Sequence, residues 1–121
     1  MATYDCELFG HMLYSPELSY NELHELESDL IPALQTALTA AGAEHIDLLG
    51  QGDALRMQGV LPEHMEADFH ALCDTIAAFL PPTVTGRLLF VHKDLAVLHL
   101  YLFTEKGWKE AALDVSMGIC R

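Results

Sequence analysis

Basic residues are scarce in this chain, and none occurs before Arg56. The 121 residues include 6 Lys and Arg against 18 Asp and Glu, which gives a formal net charge of −12 at pH 7. Residues 1–74 carry 14 acidic residues and one basic residue, a net charge of −13, whereas residues 75–121 carry a net charge of +1. Direct binding to DNA, RNA or an anionic membrane is therefore not expected, because binding to phosphate groups requires Lys and Arg.

Cysteines and long apolar runs are also few. Cys6, Cys73 and Cys120 are too scattered for a disulfide framework, so we expect incidental or buried thiols in a reducing compartment. The most apolar stretch, residues 95–103, is interrupted by His99 and is far shorter than the ~20 residues that cross a bilayer. The first ten residues lack the basic region of a signal peptide. These absences predict a cytoplasmic protein.

The sequence lacks the common motifs of enzymes and metal sites. It contains no Gly-x-Ser-x-Gly, no HExxH and no CxxC. Residues 50–53 (GQGD) lack the downstream Lys of a phosphate-binding loop and fit a hairpin turn better. Glu66 and His70 lie four residues apart, as do His64 and Asp68, but such pairs are common on solvated helix faces. We therefore expect no enzymatic activity, no metal and no cofactor.

Apolar residues, in contrast, make up 51% of the chain, and the mean hydropathy is +0.21. Disordered acidic chains have low hydrophobicity, so this combination predicts a folded domain with a negative surface. A chain of this length usually forms one domain and buries roughly two-thirds of its unfolded surface. We expect residues 1–121 to form a single acidic α+β domain.

Hydrophobic periodicity predicts the first strand and the first helix. Residues 4–14 alternate between apolar and polar, as in a strand with one solvent-exposed face. Ser19 and Glu22 form a capping box that starts a helix, and Gly42 is suited to its C-terminal end. The apolar stripe keeps its phase across Pro32, which favours one kinked helix over two short ones.

The remaining pattern predicts five strands and one further helix. Residues 44–49 and 54–60 form a strand pair, and Pro62 at the first helical position opens the second helix. Two prolines at 81–82 end that helix. The last strands are predicted at residues 84–92, at residues 96–104 and at about 109–117. The order βαββαβββ matches a ferredoxin-like variant, with two helices on one face of an antiparallel sheet.

The predicted strand at residues 96–104 is apolar on both of its faces. One face carries His99 and Tyr101, and the other carries leucines. Because two helices cover only one side of a sheet, the second side needs a further cover. We expect a homodimer through this side, with coverage by a partner or by the C-terminal strands as alternatives. The residues expected at this contact are Leu98, Leu100 and Leu102.

The first helix is predicted to carry a row of carboxylates. Glu22, Glu25 and Asp29 fall within about 60° of one another at ~100° per residue, opposite the leucine stripe. They span about 10 Å of helix, a length in which one DNA strand places about three phosphates. Acids near a helix start also interact favourably with the helix dipole, which requires no partner. Glu27 falls nearer the stripe and is predicted either to extend its carboxylate to the edge of the stripe or to meet a polar group. The acids predicted to bind a partner are Glu17, Glu22, Glu25, Asp29, Asp5, Glu7, Glu63, Glu66 and Asp68.

Three functions fit these patterns. The first is a non-enzymatic inhibitor that occupies a basic nucleic-acid-binding surface of a partner protein. DNA mimics, anti-CRISPR proteins and nuclease immunity proteins act in this way, and the analogy is one of size and charge. The second is an acidic dimeric chaperone or adaptor that uses the apolar sheet face. The third is a small ligand-binding regulatory domain or enzyme in which His92, His99 and Tyr101 line a pocket.

Overall fold

The computed structural model describes residues 6–62, 66–92 and 98–111. It confirms an α+β fold with two helices and a six-stranded antiparallel sheet. No helix within these ranges is both long enough and apolar enough to cross a membrane. The elements are β1 (Cys6–Tyr14), α1 (Tyr20–Ala40), β2 (Glu44–Gln51), β3 (Ala54–Leu61), α2 (Glu66–Phe79), β4 (Val84–His92), β5 (Leu98–Thr104) and β6 (Gly107–Ala111).

Both ends of α1 follow from local sequence. The Ser19 hydroxyl accepts a hydrogen bond from the Glu22 backbone N–H at 3.1 Å, and the Glu22 carboxylate accepts one from the Ser19 N–H at 2.9 Å. At the other end Gly42 adopts a φ of 91°, which lets the N–H of Ala43 reach the carbonyl of Leu38 at 3.0 Å. The predicted capping box and terminal glycine are confirmed, and the helix is continuous through Pro32.

Two element boundaries differ from the prediction. Pro62 lies in a bend rather than in the first turn of α2, the described part of α2 begins at Glu66, and residues 63–65 lie outside the described ranges. The last strand begins at Gly107 rather than at residue 109, since Gly107 takes a φ of 111° and already pairs with Thr104. The predicted extension of that strand beyond residue 111 lies outside the described ranges.

The sheet has the order β2-β3-β1-β4-β5-β6, with β1 at the centre between β3 and β4. Side chains along β1 alternate between buried and exposed positions, so the helices cover one face only. The core between that face and the helices is filled by large apolar side chains. Those that are fully buried include Leu8, Met12, Leu34, Phe69, Phe90 and Phe103.

Neither helix of the described residues lies over the opposite face of the sheet, which we call the open sheet face. It includes Phe9, His11, Leu13, Leu49, Leu89 and Leu100. Phe9, Leu13 and Leu49 are 41%, 47% and 49% exposed, which is high for large apolar side chains. The predicted contact residues Leu98, Leu100 and Leu102 lie on this face and are half-buried, whereas Tyr101 and Phe103 are buried on the helix side. The prediction that β5 is apolar on both faces is therefore confirmed.

Candidate functional site

The first candidate site is a row of carboxylates on α1. Glu22, Glu25 and Asp29 are all exposed, and Glu17 is exposed in the turn just before the helix. We call these four residues the acidic helix surface. The backbone N–H of Ser19, and then its side chain, lower the pKa of Glu22, so this carboxylate keeps its charge at lower pH than usual.

These carboxylates are not neutralised by the basic residues that the structure describes. Within residues 6–62, 66–92 and 98–111 the ion pairs join His70 and His99 to Glu110, and no Lys or Arg takes part in one. Arg56 and Arg87 are exposed on the open sheet face, on the far side of the sheet from α1. The fold thus places the acidic helix surface and these two arginines on opposite sides of the sheet.

Not every acid predicted to bind a partner lies with this row. Glu7 alternates with the buried Cys6 and Leu8, so it projects from the open sheet face instead. Asp68 lines the groove beside the C-terminal end of α1, whereas Asp29 lies near the opposite end of α2.

Asp68 and Asp29 lie at different ends of the helix pair because α1 and α2 pack antiparallel. Glu66 sits at the same end of α2 as Asp68 and contributes to a different cluster, described below. Asp5 and Glu63 lie outside the described residues.

Glu27 also leaves the row, as predicted. Its carboxylate accepts a hydrogen bond from the buried Tyr14 hydroxyl at 2.9 Å. Burial, followed by the hydrogen bond and the charge of Glu27, raises the pKa of Tyr14. A side chain at Gly50 would collide with the same carboxylate, so this glycine leaves room for it. The prediction that Glu27 meets a polar group is confirmed, and the residue serves packing rather than the exposed surface.

The second candidate site is the open sheet face. A depression of about 490 Å³ on this face is lined by Phe9, His11, Arg87, Leu89, Leu98 and Leu100. His11 pairs directly with Arg56 on one side and with Arg87 on the other, so a short basic row crosses an apolar surface. His99 projects from the opposite face of the sheet, so it does not lie beside His11.

The third candidate site lies on the helix side of the sheet, where α2 meets β5 and β6. We call Glu66, His70, His99 and Glu110 the histidine–carboxylate cluster. The Glu110 carboxylate lies 3.4 Å from Nε2 of His70 through one oxygen and 3.4 Å from Nδ1 of His99 through the other. The ligand atoms of Glu66, His99 and Glu110 lie within 4.8 Å of one another.

Aromatic side chains surround this cluster. His99 stacks on Tyr101 at 6.3 Å between ring centroids and meets Phe69 at 5.2 Å, while His70 lies 5.0 Å from Trp108. Burial raises the pKa of Tyr101, and the charge of Glu110 adds to that effect. The Trp108 indole N–H donates to Asp74 of α2 at 2.8 Å, which ties β6 to the helix.

Sequence patterns indicated only part of this cluster. The spacing of Glu66 and His70 was visible, and His92, His99 and Tyr101 were expected to lie together. His92 does lie 5.6 Å from His99 between ring centroids. Glu110 was missed, because its place opposite Tyr101 depends on the pairing of β5 with β6. An alternating strand pattern that continued through residue 110 is the signal that could have placed it on the helix side.

Comparison with protein-family models, with curated proteins and with solved structures finds no match to this chain.

Proposed function

We propose that this chain is a non-enzymatic, acidic protein-binding inhibitor. In this proposal the acidic helix surface occupies a basic nucleic-acid-binding surface of a partner protein, in the manner of a DNA mimic. The observation that carries the proposal is the exposed row of Glu22, Glu25 and Asp29, which no described Lys or Arg contacts. Nuclease inhibitors, anti-CRISPR proteins and immunity proteins are the functional classes that such a surface suits.

The physical basis is the match between charge spacing and a phosphate backbone. The three carboxylates extend over about 10 Å of α1, close to the spacing of three phosphates on one DNA strand. A basic groove attracts such a surface over distance and raises the association rate by ~10-fold or more. Neighbouring carboxylates on the same helix repel one another in the folded chain. Association with a cationic partner relieves this repulsion.

The architecture supports presentation of this surface by a dimer. We propose that this sheet is a ferredoxin-like variant in which the strand order β2-β3-β1-β4 is extended by β5 and β6. Two copies joined through the open sheet face, as we propose, would leave both α1 helices pointing outwards. The assembly would then carry two acidic helix surfaces and no direct nucleic-acid-binding surface.

The test is a charge-reversal variant in which Glu22, Glu25 and Asp29 are all replaced by Lys. Nucleic-acid-binding proteins captured from host lysate on the wild-type chain are identified by mass spectrometry and then bound to labelled DNA or RNA. We expect the wild type to displace the nucleic acid and the variant to be weaker by ~10-fold or more.

A matched control distinguishes an effect of the acidic helix surface from an effect of net charge alone. Lys at the exposed positions Asp47, Asp53 and Glu105 changes the charge by the same amount away from α1. This control should retain displacement. Equal weakening of both variants, or displacement by the α1 variant within twofold of the wild type, would show that the row is not the binding surface.

A second candidate function is supported by the open sheet face. Its exposed apolar side chains and its depression suit the binding of an apolar segment, as in an acidic chaperone or adaptor. Leu100→Asp places a charge on the face of that depression. If the chaperone function is correct, this variant loses suppression of client aggregation while the α1 charge-reversal variant keeps it.

A further inference from the structure

Three residues of the histidine–carboxylate cluster bring potential metal-ligand atoms within 4.8 Å of one another. Glu66 comes from α2, His99 from β5 and Glu110 from β6, while His70 lies beside Glu110 outside this set. One imidazole nitrogen and two carboxylates, with water in the fourth position, are ligands that zinc and related divalent ions accept. Because these residues are far apart in the sequence, no short sequence motif contains all of them.

The spacing of the ligand atoms leaves room for an ion. Glu110 lies 3.4 Å from each histidine nitrogen, which is long for a charge-assisted hydrogen bond, and it uses a different oxygen for each, so one oxygen can share an ion with His99 while the other faces His70. Ligand atoms bound at about 2.1 Å around a tetrahedral ion lie roughly 3.4 Å from one another. The 4.8 Å limit for Glu66, His99 and Glu110 requires only a small rotation of the exposed Glu66 side chain.

The hydroxyl of Tyr101 is a second and independent observation. Tyr101 is fully buried, and its hydroxyl is the buried side-chain oxygen without a hydrogen-bond partner in the part of the chain that the structure describes. Such a group destabilises a fold unless something polar reaches it. Its ring packs against both His70 and His99 of the cluster. A water molecule on a metal ion at the cluster would supply the missing partner.

The surroundings hold the imidazoles in place and leave one side open. The His99 side chain is only 15% exposed, whereas His70 and Glu110 are 35% and 39% exposed. Ring contacts with Phe69, Tyr101 and Trp108 restrict how the imidazoles can turn. The cluster therefore combines ordered ligands with a path from solvent, as a metal site requires.

We propose that Glu66, His99 and Glu110 form a binding site for one divalent transition-metal ion, with zinc as the best fit, that His70 positions Glu110 from outside the ligand set, and that Tyr101 hydrogen-bonds to a water on that ion. The two carboxylates balance the ion's charge, and the His99 imidazole binds it in its neutral form. Calcium and magnesium prefer oxygen ligands alone, and copper(I) prefers sulfur. The bound ion fastens α2 to β5 and β6, at the edge of the sheet farthest from β2.

The test uses the full chain with Cys120→Ser, so that the thiol at position 120 cannot bind the metal, after removal of metal with EDTA. Zn²⁺ is titrated by calorimetry, and Co²⁺ by its visible absorption. We expect one equivalent of each ion to bind, the Co²⁺ spectrum to show nitrogen and oxygen ligands, and Zn²⁺ to raise the thermal midpoint.

His99→Gln and Glu110→Gln remove ligands on different elements, so a folding defect in one leaves the other informative. Each is expected to weaken binding by ~10-fold or more, whereas His24→Gln and Glu105→Gln on the exposed surface should not. Absence of saturable one-to-one binding would overturn the proposal. Equal weakening by His24→Gln and His99→Gln would also overturn it, because binding would then be adventitious.

Tyr101→Phe tests the role of the buried hydroxyl. In the metal-free chain this variant should be at least as stable as the parent, because an unpaired buried hydroxyl is removed. In the presence of Zn²⁺ it should bind up to ~10-fold more weakly, as expected when a group outside the ligand set is lost. An unchanged affinity would exclude Tyr101 from the site.

Discussion

Tyr14 and Glu27 join the end of β1 to the middle of α1 through one buried hydrogen bond. The phenol is 4% exposed, and its hydroxyl donates to the carboxylate at 2.9 Å. Helical spacing was enough to predict that Glu27 lies at the edge of the apolar stripe. It could not identify Tyr14 as the partner, because that contact depends on how the helix lies across the sheet.

Tyr14→Phe removes this hydrogen bond and leaves a half-buried carboxylate without its donor. We expect the free energy of unfolding to fall by about 1.5–3 kcal/mol, the range for hydrogen bonds to charged groups. Urea denaturation followed by circular dichroism measures the change. Tyr20→Phe is the control, because Tyr20 is 81% exposed, and it should change stability little. Similar losses in both variants would contradict this role for Tyr14.

The buried thiol of Cys73 is expected to make the free energy of unfolding depend on pH in the alkaline range. Burial, followed by the charges of Asp74 and Glu110, raises the pKa of its thiol from 9.0 to about 12. The folded chain therefore keeps the thiol proton at pH values where the unfolded chain loses it. This contribution to stability is complete below pH 9 and is lost as the pH rises from 9 towards 12.

The measurement compares urea denaturation of the wild type and Cys73→Ala at pH 7 and at pH 10.5. We expect the variant to be less stable at pH 7 but to lose less stability between the two pH values. Equal losses in both chains would show that ionisation of the Cys73 thiol is not linked to unfolding.

At the scale of elements, the predictions that succeeded are those with local causes. The capping box at Ser19 and the glycine at position 42 act within a few residues, so α1 is correctly bounded by its own sequence. Pro62, which was predicted to open α2, lies in a bend, and residues 63–65 between it and the described helix lie outside the described ranges. Alternation along β1 correctly separated its buried and exposed faces.

Predictions that depended on long-range pairing were less complete. The central place of β1 follows from its pairing with β3 and β4, which residue patterns along one strand cannot show. For the same reason the pair of Glu66 and His70 could not be joined to His99 from the sequence, and Glu110 was overlooked. The acidic row on α1 could be predicted because its residues repeat within one helix. Glu7 was predicted to extend this row, but the sequence does not show whether the exposed face of β1 lies on the same side of the sheet as α1.

Gly10 tests how tightly the centre of the sheet is packed. A Cβ at this position in β1 would overlap the side chains of Met57 and Leu88, which are buried against the helices. We expect Gly10→Ala to lower the free energy of unfolding by about 1–3 kcal/mol, the usual cost of overpacking a core.

Gly59→Ala in β3 is the matched control, because a Cβ there meets its neighbours at 3.4 Å or more. Thermal unfolding of both variants provides the comparison. Gly59→Ala should leave the free energy of unfolding unchanged or raise it slightly, because alanine lowers the conformational entropy of the unfolded chain. A larger loss for Gly59→Ala than for Gly10→Ala would contradict the packing argument.

At the scale of the whole molecule, the sheet separates two surfaces of different character. The helix side carries the acidic helix surface, and the open sheet face carries exposed apolar residues with Arg56 and Arg87. Apolar patches of this kind mark contacts with other molecules. The separation lets a dimer form through one surface without occupying the other.

The predicted homodimer can be tested with two variants of opposite placement. Phe9→Glu with Leu13→Glu puts charges on the open sheet face, whereas Tyr20→Glu puts one on the exposed helix side. By light scattering after size exclusion at micromolar concentration, we expect the wild type and Tyr20→Glu to be dimers and the double variant to be a monomer. A wild-type chain that runs as a monodisperse monomer would refute the dimer.

The irregular outer strand β2 has a consequence for polymerisation. Its pairing with β3 shifts between Glu44 and Asp47, and His45 within that shift has a φ of 56°. A bulge of this kind breaks the regular row of backbone donors and acceptors that an incoming strand needs, and the neighbouring charged side chains repel like copies. Growth into fibrils by addition of strands to this edge is therefore disfavoured, even at concentrations where the faces of the sheet associate.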